Sequence, residues 1–127
     1  MTKNEIDLFE TLQGQLDSFH REMNTLVKKN PNDLLNKFKL DLINSLLKRA
    51  NTVLGKTRKP FQDFDQFDES TLPFTSDVLV IISQYLAALE QLRTENIEYG
   101  RGKWCWIGQN DRERYERNTY PPKQLDR

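Results

Sequence analysis

The stretch Thr75–Glu98 constrains the fold most, because it is the only segment that is apolar on nearly every side. Its portion Val78–Ile82 alone resembles a buried strand. However, apolar residues continue at helical spacing as far as Leu92, which is longer than strands usually run. We therefore predict a helix over about 76–98, and other parts of the chain must cover most of its surface.

Two more helices are predicted before it. Apolar residues at steps of three and four predict a helix over about 5–29 with one narrow buried stripe. The segment Asn30–Asp33 ends this helix and begins another over about 31–54, with Asn30 as its cap and Gly55 at its end. The stripe on the first helix also suits packing against its copy, so a homo-oligomer through this helix stays open as an alternative.

The connection over 56–74 carries three phenylalanines, Phe61, Phe64 and Phe67, spaced three residues apart with acidic residues between them. The favoured interpretation is that the rings cover an open side of the helical bundle and the acids neutralise nearby lysines. The alternative is a secondary partner-binding segment whose rings enter a groove on another protein.

After Gly100 the composition changes to tryptophan, tyrosine and arginine. The segment Lys103–Ile107 is predicted to be a short extended piece with both tryptophans on one side. A short last helix is predicted over about 111–118, with Asn110 as its cap. The predicted fold class is therefore all-α: one domain over residues 1–127, with three long helices and a short C-terminal helix in an antiparallel bundle.

The net charge is zero, but the charges are segregated along the chain. Residues 1–60 hold 11 basic and 7 acidic residues, residues 61–98 hold 1 and 8, and residues 99–127 hold 7 and 4. Binding to nucleic acid would therefore have to be local. The acidic N-terminus is unlike a signal peptide, and the apolar runs fall short of a membrane span. With the single cysteine, Cys105, this predicts a cytoplasmic protein with no membrane partner.

The residues suited to catalysis or metal binding are few. His20 and Cys105 are each the single residue of its type, and they lie in different predicted elements. The sequence contains no Glu-x-x-His pair, no HExxH motif, no paired cysteines and no phosphate-binding glycine loop. We therefore expect no enzymatic activity, no metal and no cofactor.

The strongest functional candidate is the region rich in arginine and aromatic residues after Gly100. Such residues close cores, form protein interfaces and stack on unpaired bases, so the region has three candidate roles: core closure, protein binding and nucleic-acid binding. We predict a non-catalytic interaction protein: an adaptor, an inhibitor or a small subunit of an intracellular assembly. The alternative is a small helical subunit that binds nucleic acid through this region and the basic second helix. The candidate partner-binding residues are Arg101, Lys103, Trp104, Trp106, Arg112, Arg114, Tyr115, Arg117 and Tyr120.

Overall fold

The structure, a computed structural model, describes residues 1–108 and 117–123. Within them the chain is mostly helical, in agreement with the predicted class, and adds a small two-stranded sheet. None of the helices in these residues is long and apolar enough to cross a membrane. The elements are α1 (Lys3–Lys29), α2 (Lys37–Arg58), α3 (Thr75–Thr94), β1 (Ile97–Gly100) and β2 (Lys103–Trp106).

The predicted fourth helix falls mainly outside the described residues, as does its expected cap, Asn110. Its last two positions, Arg117 and Asn118, lie in a bend and a β-bridge. The antiparallel packing of the bundle stays a prediction.

Helix α1 begins two residues earlier than expected because Thr2 and Glu5 form a capping box. The Glu5 amide donates to Thr2 Oγ1 at 3.1 Å, and the Thr2 amide donates to Glu5 Oε1 at 2.9 Å. The helix ends at Lys29, as predicted, and its apolar stripe lies in the core.

Helix α2 begins at Lys37, six residues later than predicted. Leu34, which lies within the predicted helix, instead forms an isolated β-bridge with Phe74. Asn36 caps the helix, because its side chain accepts a hydrogen bond from the Lys39 amide at 2.8 Å. Asn30 is the C-cap of α1, so its predicted role as the cap of α2 was wrong. A long-range contact therefore removed six residues from the start of a helix that local apolar spacing predicts.

The other end of α2 agrees better with the sequence. Gly55 has φ 73° and ψ 177°, so the regular helix is interrupted there and only one further turn follows. A positive φ is costly for residues with a Cβ atom, which explains the glycine at this position.

Helix α3 ends at Thr94, whereas the prediction extended it to 98. Ile97 has the apolar character of a helical position, but it pairs with Trp106 in the sheet and is buried there. At the other end the cap residue is Phe74, without a side-chain hydrogen bond. The Thr75 amide donates to the Asp33 carbonyl at 2.9 Å. The Thr75 hydroxyl is buried without a hydrogen-bond partner among the described residues.

The core is built around α3, which contributes Val78, Ile82, Tyr85 and Leu89, each fully buried. The stripe of α1 and the apolar face of α2 pack in the same cluster as these residues. Most apolar residues of this stretch are therefore buried or partly buried, in a helix rather than a strand, although Val80 is 58% exposed.

The connection before α3 packs along α2. Asn44 donates to the Phe67 carbonyl at 3.0 Å and accepts from the Phe67 amide at 2.9 Å. Phe64 and Phe67 are partly buried against the core, and Phe61 makes an edge-to-face contact with Phe64 at 6.3 Å between ring centroids. These contacts fit the covering role.

Candidate protein-binding site

The C-terminal region begins with a tight β-hairpin. Strands β1 and β2 are antiparallel, and the two residues between them, Arg101 and Gly102, have φ of 54° and 78°. Two positive φ angles are the requirement of a type I′ turn, the connection that best matches the twist of a two-residue hairpin. Glycine at the second position meets this requirement without strain.

Trp106 anchors the hairpin to the helices. Its side chain is 1% exposed and meets Phe9 edge to face, with ring centroids 5.4 Å apart. Its Nε1 donates to Glu10 Oε1 at 3.1 Å, so its polar atom is also satisfied. Trp106 was one of the candidate partner-binding residues, and the structure places it in the core.

The opposite end of the hairpin is exposed. We call Tyr99–Trp104 the hairpin tip. Tyr99 is 62% exposed and meets the half-buried Trp104 edge to face, with centroids 5.7 Å apart. Arg101 and Lys103, both exposed, flank this aromatic pair. The tip therefore carries two rings and two cations on a two-residue turn.

Residues 117–119 add to the second edge of the hairpin. The Trp106 amide donates to the Arg117 carbonyl at 2.9 Å, and the Thr119 amide donates to the Trp104 carbonyl at 3.0 Å. Between these bonds Cys105, which is buried, forms a β-bridge with Asn118. The chain is thus held beside the hairpin before it crosses to the helices.

The Arg117 side chain extends to α1. It hydrogen-bonds Asp7, and its Nε lies 3.0 Å from Glu10 Oε1. The bond to Asp7, reinforced by that to Glu10, raises the pKa of Arg117 above its ordinary value. This candidate residue is therefore engaged within the chain.

A buried arginine holds the segment that follows. Arg93 is 1% exposed, and its Nε and Nη2 donate to the Glu90 carboxylate at 2.8 and 2.7 Å. Its Nη1 donates to Thr119 Oγ1 at 2.9 Å and to the Tyr120 carbonyl at 2.8 Å. A second Nη2 bond goes to the Pro121 carbonyl at 2.9 Å. Each of the guanidinium's five N–H groups thus has an acceptor.

Both carboxylate oxygens of Glu90 also accept hydrogen bonds. Besides the two bonds from Arg93, it accepts from Gln13 Nε2 at 3.3 Å and from the Lys123 amide at 2.8 Å. Burial on its own would raise the pKa of Glu90. The hydrogen bonds from Arg93, Lys123 and Gln13 outweigh burial and hold that pKa below its ordinary value.

Tyr120 covers this network from outside and is 44% exposed. The Arg93 guanidinium carbon lies 4.2 Å from the ring centroid, and Lys123 Nζ lies 4.5 Å from it. The Tyr120 hydroxyl donates to Gln13 Oε1 at 3.1 Å. We call Gln13, Glu90, Arg93 and residues 119–123 the tail clamp, because together they fasten the C-terminal segment to the bundle.

The structure thus divides the candidate residues into three groups. Arg101, Lys103 and Trp104 lie together at the hairpin tip, whereas Trp106, Arg117 and Tyr120 make contacts that hold the hairpin or the tail. Arg112, Arg114 and Tyr115 lie outside the described residues.

Sequence reasoning missed Tyr99, Glu90 and Arg93. The only signal for the last two was a pair of charged residues three positions apart within the otherwise apolar α3.

Sequence reasoning also missed a contact between His20 and Ser83. His20 Nε2 lies 2.9 Å from Ser83 Oγ, and both side chains are partly buried between α1 and α3. Ser83 Oγ also lies 2.8 Å from the Leu79 carbonyl oxygen, which competes with His20 for the hydroxyl proton. The His20–Ser83 contact joins α1 to α3.

In the parts of the chain that the structure describes, no group of three or more histidine, cysteine or acidic side chains could hold a metal ion. The comparisons add no further constraint: no protein-family model, no curated protein and no solved structure matches this chain.

Proposed function

We propose that this chain is a non-catalytic interaction protein, and that the hairpin tip is where it contacts a protein partner. The observation that carries this proposal is the exposed Tyr99–Trp104 pair flanked by Arg101 and Lys103. Tryptophan, tyrosine and arginine dominate the binding energy of protein interfaces. The role stays that of an adaptor, an inhibitor or a small subunit.

Rigidity of the tip supports the proposal. The strands are short, but Trp106 fixes one end in the core and residues 117–119 bond to the outer edge of β2. Ordering a flexible loop on binding costs affinity, and a turn held in this way avoids much of that cost.

The chemistry of the tip indicates the kind of partner. Two exposed cations beside two aromatic rings suit an apolar pocket with an acidic rim. Aromatic rings supply the buried contact, and the charges steer the encounter and set its orientation.

The ion pairs favour a protein partner over nucleic acid. Several basic residues on which the nucleic-acid alternative depends are neutralised by carboxylates of the same chain, which lowers their value for binding phosphates. These pairs are Lys37–Asp41, Lys39–Glu22, Arg58–Glu95, Lys59–Asp65 and Arg117 with Asp7 and Glu10.

The proposed location rests on a single residue. Cys105 is the one cysteine of the sequence and is buried, which supports a reducing intracellular location.

The test is affinity capture from nuclease-treated extract of the native host, with the double variant Tyr99→Ala/Lys103→Glu against the wild type. We expect capture of the partner to fall by about tenfold or more, with an unchanged far-UV circular dichroism spectrum. Val80→Ala is the matched control, because Val80 is 58% exposed but lies on α3. Unchanged capture by the double variant would remove the tip from consideration, and capture lost on nuclease treatment would favour the nucleic-acid alternative.

A further inference from the structure

The outer face formed by α1 and α2 carries apolar side chains that are largely uncovered. Leu8 on α1 is 67% exposed, and Phe38 and Leu42, one turn apart on α2, are 72% and 45% exposed. Isolated exposed leucines are ordinary, but several on one face mark an interaction surface.

Two adjoining depressions run along this face. One, of about 510 Å³, lies between the helices and is lined by Phe19, Leu42 and Leu46, among others. The other, of about 390 Å³, is lined mainly by apolar atoms, with Leu8 among its residues. Both include Thr11 and Arg49, so they form one groove along the two helices.

Gly14 lies beside this groove without a reason in the chain's own packing. A glycine inside a helix weakens the helix. A Cβ atom built at Gly14 would meet nothing within 4 Å, and the residue does not have a positive φ. The missing side chain leaves space for a second backbone to approach α1 closely.

The two walls of the groove differ in charge. The α1 wall carries Asp7, Glu10 and Glu22, and the α2 wall carries the basic residues Lys39, Lys48 and Arg49. Asp7 and Glu10 also pair with Arg117, but their side chains remain 54% and 41% exposed. Lys39 and Glu22 pair with each other across the groove, so the charges available to a partner are mainly Asp7 and Glu10 on one wall and Lys48 and Arg49 on the other.

This layout is self-complementary. A two-fold axis parallel to the groove places the acidic wall of one copy against the basic wall of the other, in the reciprocal manner of a symmetric dimer. The same axis places the apolar floors face to face. A partner of uniform charge would meet repulsion at one of the two walls.

We propose that a second copy of this chain occupies the groove and forms a symmetric dimer through α1 and α2. Helix α2 is roughly 33 Å long and two helices side by side are about 20 Å wide, so the face covers about 660 Å². That area lies near the lower end of a standard interface, about 600 Å² per partner. Because the groove also carries Ser18, Ser45 and Thr11, the dimer is a reversible one.

The first test is sedimentation equilibrium over a series of protein concentrations. We expect the wild type to pass from monomer to dimer, and Phe38→Glu to raise the dissociation constant by at least roughly tenfold. Val80→Glu, an exposed apolar residue on α3, is the control and leaves the constant unchanged. A wild type that sediments as a monomer up to its solubility limit would overturn the proposal.

The second test uses Gly14→Gln, which separates folding from assembly. Because the position has open space, a better helix former raises the midpoint of thermal unfolding of the monomer by a few degrees. The same side chain blocks close approach and weakens the dimer by about tenfold or more. A raised midpoint with undiminished dimerisation would contradict the proposed contact. Hydroxyl-radical footprinting in which Leu8 and Phe38 were protected only by a different protein would contradict it too.

Discussion

The tail clamp and the hairpin tip are built from the same residue types, arginine and aromatic residues, yet they differ in how far their side chains are buried. In the tail clamp Arg93 is buried, and its five N–H groups all have acceptors within the chain. At the hairpin tip Arg101 and Lys103 are exposed beside Tyr99 and Trp104. Composition alone therefore cannot separate a residue that closes the fold from one that can contact a partner.

The difference also shows how each region tolerates change. The clamp combines a buried charge pair with main-chain acceptors. Removing one member therefore leaves buried polar groups without a hydrogen-bond partner. The side chains Tyr99, Arg101 and Lys103 of the tip are exposed, so their removal leaves less buried structure unsatisfied. We expect substitutions in the clamp to act on stability and those at the tip to act on binding.

The largest effect is expected for Arg93→Ala, which leaves the Glu90 charge buried without its partner. The free energy of unfolding should fall by about 3–5 kcal/mol, measured by urea denaturation. Lys103→Ala at the tip should change it by less than about 0.5 kcal/mol. Similar losses for the two variants would refute the distinction between the regions.

The clamp also predicts a dependence on pH. The pKa of Glu90 in the folded protein lies below the ordinary value of 4.5, so its contribution is complete above that value and is lost as the pH falls through the folded pKa. Glu90→Gln should therefore lower stability at neutral pH and flatten its decline in acid. If the free energy of unfolding fell with decreasing pH at the same slope in the variant and the wild type, this role of Glu90 would be excluded. Glu5 and Asp68, whose pKa values are also lowered, account for part of the remaining slope.

A smaller effect is expected at the turn of the tip. Gly102→Ala should cost about 1 kcal/mol because φ there is +78°. Gly14→Ala is the matched control, since neither position has an atom within 4 Å of an added Cβ but Gly14 lacks a positive φ. The control should gain up to about 1 kcal/mol. The measurement is thermal unfolding of both variants, monitored by circular dichroism. If both substitutions shifted the unfolding midpoint in the same direction, the strained turn would be contradicted.

The smallest effect on stability is expected for Tyr99→Ala. It removes one edge-to-face contact from an exposed position, which is worth about 0.5 kcal/mol. Its effect on partner capture should nevertheless exceed that of any substitution in the clamp that still folds. A large loss of stability in chemical denaturation would show that the tip supports the fold instead.

Local patterns were enough to predict the helices but not all their ends. The end of α1 and the break at Gly55 followed from caps and apolar spacing within the segment itself. The start of α2 and the end of α3 did not, because Leu34 pairs with Phe74 in a β-bridge and Ile97 pairs with Trp106 in the sheet. Pairings between distant residues outweighed local helical preference, and a single sequence does not display them.

The candidate site was predictable only in outline. The composition after Gly100 directed attention to Trp104 and Trp106, and the extended piece that carries both tryptophans was predicted. Which tryptophan would be buried depended on Phe9 and Glu10, almost 100 positions earlier. The clamp was not predicted because it joins Gln13, the pair Glu90 and Arg93, and residues 119–123, which lie far apart in the sequence. Two acceptors of Arg93 are also backbone carbonyls, which carry no signature in the sequence.

Oxidative footprinting of aromatic residues, in the free protein and with its captured partner, tests the central claim most directly. We expect the partner to protect Tyr99 and Trp104, while Tyr120 in the clamp keeps its reactivity and Trp106 stays unreactive in both states. Protection of Tyr120 alone, or unchanged reactivity of Tyr99 and Trp104 in the complex, would contradict the assignment of binding to the hairpin tip.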